Sequence, residues 1–594
     1  MHLPILADAR SYIRPHAKRL KGTAQFLFND LNEALGFSAR VDEPLWAQWR
    51  RVMGNSREIL AGLPEPTGPR VLFATGYGWG AAMLVLETTL IAALRLRGAQ
   101  PIALRCDKAL PACEWNRFGN FEPSPGEFGP SPTVRTRLEQ CRICTENIDS
   151  VYELLPTERI AFAQFLEKDD LERLNLLIDG LAYEDYGRHT YRGIQVGEHA
   201  YSSVMRATLR GTLLDDAETR WLFRRYLLAS ILVVDLTNRA IDATRPDRIV
   251  AVHGIYVTHG TICEVARFRG IPVVVYGTPY RRSTIWLSHD DTYHRTLISE
   301  PPAIWEDLEM TPARVRRVEE YLASKRFGGR DYAAYHADAN NDADALYEEL
   351  GLDRKKPIIS AFTNVLWDAQ LYYSRNAFSD MLEWLFETIR YFEHRADLQL
   401  VIRIHPAEAK GTLPTNQPLL AEIEREFPVL PENVKVIRPE SNLSSYTLAE
   451  ASHAALIYGA RMGVEIAALG TPLVVAGETF NRGKGYSYDV ETREEYFELL
   501  DRIQDLPRND ETAIRRARTY AYHYYYRLMI DFKLFSVKDG IHLTGPQLEF
   551  TSLDALLPGV DPALDVICDG ILDAKTPFFF DSLERQAAES TIAA

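Results

Sequence analysis

Apolar positions in this chain gather in short unbroken blocks ending in glycine or polar loops, each followed by a longer segment of helical period. In the first half, VLFAT (71–75) runs into the glycine turn GYGWG and then into AAMLVLETTLIAALRLRG, closed by Gly98. PIALRCD (101–107), DRIVAVHG (247–254) and IPVVVYG (271–277) are further blocks, the last two separated by the helical THGTICEVARFRG. The second half repeats the scheme with KPIISAFTNV (356–365), LQLVIRIH (398–405), NVKVIRP (433–439), AALIYG (454–459) and TPLVVAG (471–477). Strands apolar on both faces are those of a parallel sheet covered by helices, and the β–α alternation predicts doubly wound sheets.

A chain of 594 residues exceeds what one hydrophobic core supports, so two lobes are expected. The predicted organisation is a helical N-terminal segment (1–66), a first Rossmann-like lobe (67–345), a second (346–520) and a helical C-terminal tail (521–594). The first lobe would carry a cysteine-rich loop (106–144) and a helical insertion (151–245). The acidic, alanine-rich DYAAYHADANNDADA reads as part of the connection between lobes, with Asp338, Asp342 and Asp344 as solvated linker residues rather than metal ligands.

The chemistry concentrates between residues 400 and 488. Arg403 and His405 alternate with Val401, Ile402 and Ile404, so one strand delivers a cation and an imidazole to its C-terminal end. Gly459, Ala460 and Gly463 open a helix whose first amides can receive an anion, and Glu465 lies in its first turns, within reach of a ribose. Sheet edges of this kind bind phosphorylated ligands, which points to a nucleotide mono- or diphosphate and to sugar transfer. Asn364 and Asp368 follow a strand and can reach the same crevice. In the first lobe, His253 and His259 flank a strand-to-helix loop. His253 is the candidate general base should the reaction invert configuration.

RIHPAE (403–408), YGARMGVEIAALGTPLVVAG (458–477) and RGKGYSYD (482–489) together resemble bacterial capsule polysaccharide biosynthesis glycosyltransferases, the group that includes the Kdo-transferring capsule proteins. AVHGIYVTHGTICEVARFRGIPVVVY (251–276) looks like the first-lobe counterpart. The resemblance implies a GT-B fold, two Rossmann-like lobes with the reactive crevice between them. It implies a nucleotide-sugar donor held by Asn364, Asp368, Arg403, His405, Glu408, the loop Tyr458, Gly459, Ala460, Arg461, Met462 and Gly463, and Glu465. Arg403, His405 and His253 would be catalytic. Many relatives carry serines where this chain has Gly459 and Ala460, so backbone amides and Arg461 would bind the phosphate here. A glycan or lipid-linked acceptor would meet Gly76, Tyr77, Gly78, Tyr256, His259 and Arg281. No catalytic metal is expected, because no Asp-x-Asp loop follows a strand.

Three alternatives stay open. A sugar-nucleotide 2-epimerase shares the two-lobed fold. A non-catalytic partner of a polysaccharide assembly complex would keep only nucleotide-sugar binding. Gly76-x-Gly78-x-x-Ala81, with Asp107 after the next strand, is a permissive match to the dinucleotide fingerprint.

The formal charge of −15 argues against a nucleic-acid partner. Arg10, Arg14, Lys18, Arg19 and Lys21 form a basic segment interleaved with Tyr12, Leu20 and Phe26, readable as a solvated helix face or as a peripheral contact with the inner membrane surface. MHLPILADARSY has no signal-peptide pattern, and the longest apolar stretch, Tyr226 to Val234, is too short to span a bilayer. A cytoplasmic protein with reduced thiols is therefore expected. Cys106, Cys113, Cys141 and Cys144 border a Gly-, Pro- and Ser-rich loop that would fold poorly alone. Structural zinc on four thiolates is the expectation, with unligated thiols, a redox pair or an iron–sulfur cluster as alternatives.

Overall fold

The structure is a computed structural model that describes residues 43–78, 81–114, 137–333, 335, 338–369, 371–411, 413, 415–537 and 545–584. The basic N-terminal segment lies outside the described residues.

The first lobe is built on strands β1 (Arg70–Gly76), β2 (Gln100–Arg105), β3 (Glu158–Ala161), β4 (Arg248–Val252), β5 (Val273–Gly277) and β6 (Thr284–His289). The second carries β7 (Ile358–Phe362), β8 (Gln399–Arg403), β9 (Val434–Ile437), β10 (Ala454–Ile457), β11 (Leu473–Val475) and β12 (Tyr488–Asp489). A short β13 (Ile530–Asp531) returns to the first lobe. The sheet orders are β3-β2-β1-β4-β5-β6-β13 and β9-β8-β7-β10-β11-β12. Pairing is parallel throughout the second sheet and from β3 to β5 in the first; β6 and β13 run antiparallel to their neighbours. The architecture is α/β, two Rossmann-like lobes in the GT-B arrangement, with a largely helical insertion in the first.

Alternation along each strand explains the layers. In β1, Leu72 and Ala74 face the long helix Ala217–Thr244, whereas Val71 and Phe73 face Ala81–Leu96. Asp216 caps Ala217–Thr244 by accepting from the Thr219 amide, and the left-handed Arg245 (φ 47°) ends it. The second sheet is covered on one face by Met381–Phe392, Leu419–Glu426 and Arg493–Asp501. Glu511–Tyr522 and Gly463–Ala468 cover the other.

Two features depart from the sequence reading. The insertion 151–245 is not wholly helical: Glu158–Ala161 supplies the edge strand β3, too short and half-polar to show as an apolar block. The first sheet also continues past residue 277, with β6 pairing as Tyr276↔Leu287 and β13 as Ile530↔Ile285. The chain from residue 521 is divided between lobes. Glu511–Tyr522 passes into a π-helical turn, His523–Leu528, against the second lobe. Beyond it, Phe532, Leu564, Ile567 and Ile571 join the first-lobe core on the Val71–Phe73 face. Arg281 fixes this crossing by donating to the carbonyls of Tyr525 and Met529 and pairing with Asp531 at 2.8 Å.

A chain ending at Met529 would leave that core face in water. It is expected to lose the first lobe's cooperative heat transition and to bind a hydrophobic dye that the full chain excludes, both readable by calorimetry and fluorescence.

Candidate functional site

Strand order reverses between β1 and β4 in one sheet and between β7 and β10 in the other, so the loops leaving each pair diverge and open a crevice. In the second lobe Phe362 pairs with Ile457, which sets Asn364 against Gly459; a Cβ on Gly459 would lie 3.1 Å from the Asn364 amide nitrogen. A cavity of about 640 Å³ occupies the space between the lobes. Of the expected donor residues, Asn364, Asp368, Arg403, His405, Tyr458, Gly459, Ala460, Arg461, Met462 and Glu465 line it; Glu408 and Gly463 do not.

Arg403 is only 2% exposed, and its guanidinium donates to the carbonyls of Arg438 and Ser441 and to the Ser445 hydroxyl. Burial lowers its pKa to about 10. The cation therefore fixes the loop after β9 and reaches the cavity as part of its wall. His405 is arranged differently. Its Nδ1 accepts from the Ala407 amide at 3.1 Å, so the proton of the neutral ring sits on Nε2. Burial, then the nearby Arg461 and Arg403, lowers its pKa to about 4, making it a neutral donor near pH 7.

Among the described residues no hydrogen bond engages the backbone N–H of Gly459, Ala460, Arg461 or Met462. Gly463 is glycine for another reason: a Cβ there would meet Asn481 at 2.7 Å. Asn481 is fully buried, donates to the Ala460 carbonyl and accepts from Tyr486, so it clamps the loop from behind. The RGKGYSYD element thus serves as bracing: Arg482 donates to the carbonyls of Arg375 and Val490, and Lys484 to those of Leu297 and Glu300 in the first lobe.

The Arg461 guanidinium lies 3.5 Å from the ring centroid of Tyr280, which comes from the opposite lobe. Among the described residues it makes no hydrogen bond or ion pair, although it lines the cavity. Glu465, 2% exposed, accepts from Tyr446 and Tyr525, one on each oxygen, and lies 3.5 Å from the Lys325 ammonium. Burial works against its charge, but Lys325 and Arg461 hold its pKa below the ordinary value. Lys325 is also paired with Asp331 at 2.5 Å, and burial lowers its pKa.

Lys325, Asp331 and Tyr335 come from the connection between lobes, which the sequence marks only as charged and helical. Tyr524 and Tyr525 come from the π turn, whose extra residue per turn spreads successive tyrosines over different neighbours. Isolated residues of this kind carry no spacing signal. The sequence shows the tyrosine run YAYHYYYRL (520–528), but nothing local gives its destination. Asp342 caps the helix Ala343–Leu350.

The first-lobe residues expected to meet the acceptor do not line the cavity. A Cβ on Gly78 would lie 2.2 Å from the Cys144 carbonyl, so this glycine permits close packing of a helix rather than of a ligand. His259 pairs with Glu114 at 3.1 Å behind the wall. Arg281 holds the chain crossing described above. His253 adopts φ +59°, stacks on Tyr256 with centroids 5.2 Å apart, and is held neutral by burial. Tyr256 accepts from Arg206, which pairs with Asp368 of the other lobe at 2.7 Å. Asp368 thereby joins the lobes. The imidazole that does line the cavity is His294, whose Nε2 is buried with no hydrogen-bond partner among the described residues. Burial lowers its pKa to about 4, against the pull of Asp368. It lies 5.6 Å from His253 between ring centroids, so the strand-end loop and its histidine are legible in the sequence, whereas the cavity-lining neighbour is not.

The thiols of Cys106, Cys113, Cys141 and Cys144 lie near enough to raise one another's pKa, though burial is the larger cause for Cys106, Cys113 and Cys144. Among the described residues no group of three or more His, Cys, Asp or Glu is arranged to hold a metal ion. The expected zinc site therefore has no support. No helix among the described residues is long and apolar enough to cross a membrane.

No family model and no curated protein matches the chain. Solved structures resemble it weakly. A beta Kdo 2,4 transferase, KpsC of Thermosulfurimonas dismutans, is 15% identical with a TM-score of 0.31, over 52% of this chain and 86% of that one. The UDP-GlcNAc 2-epimerase of Neisseria meningitidis bound to UDP-GlcNAc is 11% identical with a TM-score of 0.24, over 76% and 95%. MnaA of S. aureus in complex with UDP is 11% identical with a TM-score of 0.27, over 86% and 100%. Scores of this size assign no activity.

Glu408 gives the site's surroundings a pH signature. It caps Leu419–Glu426 by accepting from the Leu419 amide at 3.1 Å, while its other oxygen is buried without a partner among the described residues. Burial raises its pKa to about 7. A carboxyl with a raised folded pKa contributes stability that is complete below its unfolded pKa and lost as pH rises through the folded value. Glu408→Gln keeps the acceptor and removes the charge, so it is expected to raise Tm at pH 8 and to leave it nearly unchanged at pH 4.5, in a thermal series across that range.

Proposed function

We propose that the chain is a glycosyltransferase that binds a nucleotide-activated sugar between its lobes and passes the sugar to a glycan or lipid-linked acceptor in surface polysaccharide assembly, of the capsule or O-antigen kind. The reading rests on one observation above the others. Arg461 is a cavity-lining guanidinium stacked on Tyr280, with no hydrogen bond among the described residues, beside a neutral His405 whose Nε2 carries the proton. A planar cation with unoccupied donors in an enclosed cavity suits a phosphate.

In this reading Arg461, the His405 Nε2–H and the amides of Gly459 to Met462 stabilise charge building on the leaving phosphate as the glycosidic bond breaks. Arg403 acts through the loop it holds and is a positioning residue. Glu465, already accepting from two tyrosines, keeps Lys325 and Arg461 oriented and has a lone pair left on each oxygen for a ribose hydroxyl. His294 takes the acceptor's proton in an inverting reaction; the phosphates of a bound donor would raise its affinity for that proton. Attachment to the inner membrane surface through the basic segment at residues 10–21 belongs to the same proposal, on the strength of its cationic and aromatic residues.

Calorimetric titration with UDP, CMP and GDP is the direct test. Wild type is expected to bind one of them, Arg461→Ala to bind it about 10- to 100-fold more weakly, and His405→Ala to fall between. His405→Gln should recover part of the loss by restoring a neutral donor. Equal affinities in wild type and Arg461→Ala would overturn the proposal. Turnover of a nucleotide sugar to an isomer with no acceptor present would replace transfer by epimerisation.

A further inference from the structure

The acceptor residues expected from sequence lie behind the cavity wall, so the acceptor must approach elsewhere. A second concavity of about 270 Å³ lies where the insertion of the first lobe meets the loop 364–373 of the second. It shares Tyr201 and Tyr372 with the main cavity, so the two adjoin at these rings. Its walls are aromatic. Tyr201 and Tyr372, one from each lobe, stand 5.8 Å apart between centroids, and Phe223 meets Tyr183 edge-on at 5.9 Å. Tyr372 is 47% exposed and Leu214 44% exposed.

The rim is polar and balanced in charge. Glu184, Arg188 and Asp215 line it; Asp215 pairs at 2.6 Å with Arg220 just outside the lining, whereas Glu184 and Arg188 make no hydrogen bond or ion pair among the described residues. Arg220 also covers the Tyr183 ring at 4.3 Å, and Tyr183 lines the groove. Aromatic faces flanked by uncommitted carboxylate and guanidinium groups match a sugar ring, which presents C–H faces and a belt of hydroxyls. Balanced charge suits neutral saccharide units rather than a polyanion.

We infer that this groove is the acceptor subsite, holding the neutral terminal units of a growing oligosaccharide and leading its end past Tyr201 and Tyr372 to the sugar donor. This rests on the proposed transferase reading. Tyr372 positions both faces: its hydroxyl donates to the Gly187 carbonyl at 2.8 Å and its amide to Glu198 at 2.7 Å, so the groove exists only while the lobes are joined.

The test is binding of maltohexaose and chitohexaose, followed by saturation-transfer NMR and calorimetry, to the full chain and to two variants outside the main cavity. Tyr183→Ala removes a stacking face. Leu214→Arg fills the groove from an exposed position where a larger side chain leaves the core intact. Wild type is expected to bind at least one hexasaccharide, and each variant to bind it at least about tenfold more weakly while its nucleotide titration matches wild type. Binding of neither sugar, or undiminished binding by both variants, would overturn the inference. Absence of nucleotide binding in wild type would sink the transferase reading instead, and the sugar titrations would still decide the groove.

Discussion

The reversal of strand order at the centre of each sheet is the constraint on which the site depends. Right-handed crossovers send successive strands outward from β1 and then, after a return, outward from β4 on the other side; β7 and β10 repeat the manoeuvre. Helices above neighbouring strands then lie on opposite faces, and nothing fills the space over the carboxyl ends of the central pair. That gap is where Asn364 meets Gly459 and where the Arg461 loop turns inward. The second-lobe gap opens on the cavity, and the first lobe faces it with Tyr280, Tyr293 and His294.

Placing charge in so enclosed a space requires compensation, and much of the polar structure supplies it. An unpaired buried cation or carboxylate costs several kcal/mol, of order 3–5 when one partner of a pair is removed. Arg403, Arg482 and Lys484 meet this by donating to backbone carbonyls, so each neutralises the exposed end of a loop as it is itself solvated. Glu465, Lys325 and Asp331 form a connected set closed by the Tyr321, Tyr446 and Tyr525 hydroxyls. Arg461 differs: it makes no hydrogen bond among the described residues, stacks on Tyr280, and is balanced through space by Glu465 and Asp331. A guanidinium that faces the cavity without a hydrogen bond among the described residues keeps its donors available to an anion.

This division explains what could be read from the chain. The central parallel strands are legible because burial on both faces writes an unbroken apolar block, unlike the half-polar edge strand β3, and the loops ending in His405 and Gly459 are legible because they follow such blocks. The functional weight within the loops is not. Arg403 and Arg461 are both arginines at strand ends, and only packing shows that one holds carbonyls while the other faces the cavity. The first lobe misled for a similar reason: His253 and His294 lie 5.6 Å apart, but His253 follows a strand and His294 follows β6, which gave no clear apolar signal. Lys325, Asp331 and the π-turn tyrosines depend on long-range packing and have no local pattern. The zinc expectation shows the converse: four cysteines can be neighbours in space without being arranged as ligands.

The two sides of the cleft are held by unequal means. On one side, the chain crosses through β13 and the Arg281 clasp, and residues beyond it are buried in the first-lobe core. On the other, polar contacts (Arg206 with Asp368, Glu198 with the Tyr372 amide, and Gln417 accepting from Gly211 and Thr212) surround a small apolar cluster of Ile255, Tyr256 and Leu371. Each such contact is worth about 0.5–1.5 kcal/mol net, because water replaces it when it breaks. Burial of many apolar side chains is not replaced in that way. The first side, with the larger apolar burial, is therefore the firmer of the two. Parting along the Arg206 and Asp368 edge would break contacts that re-form on closing.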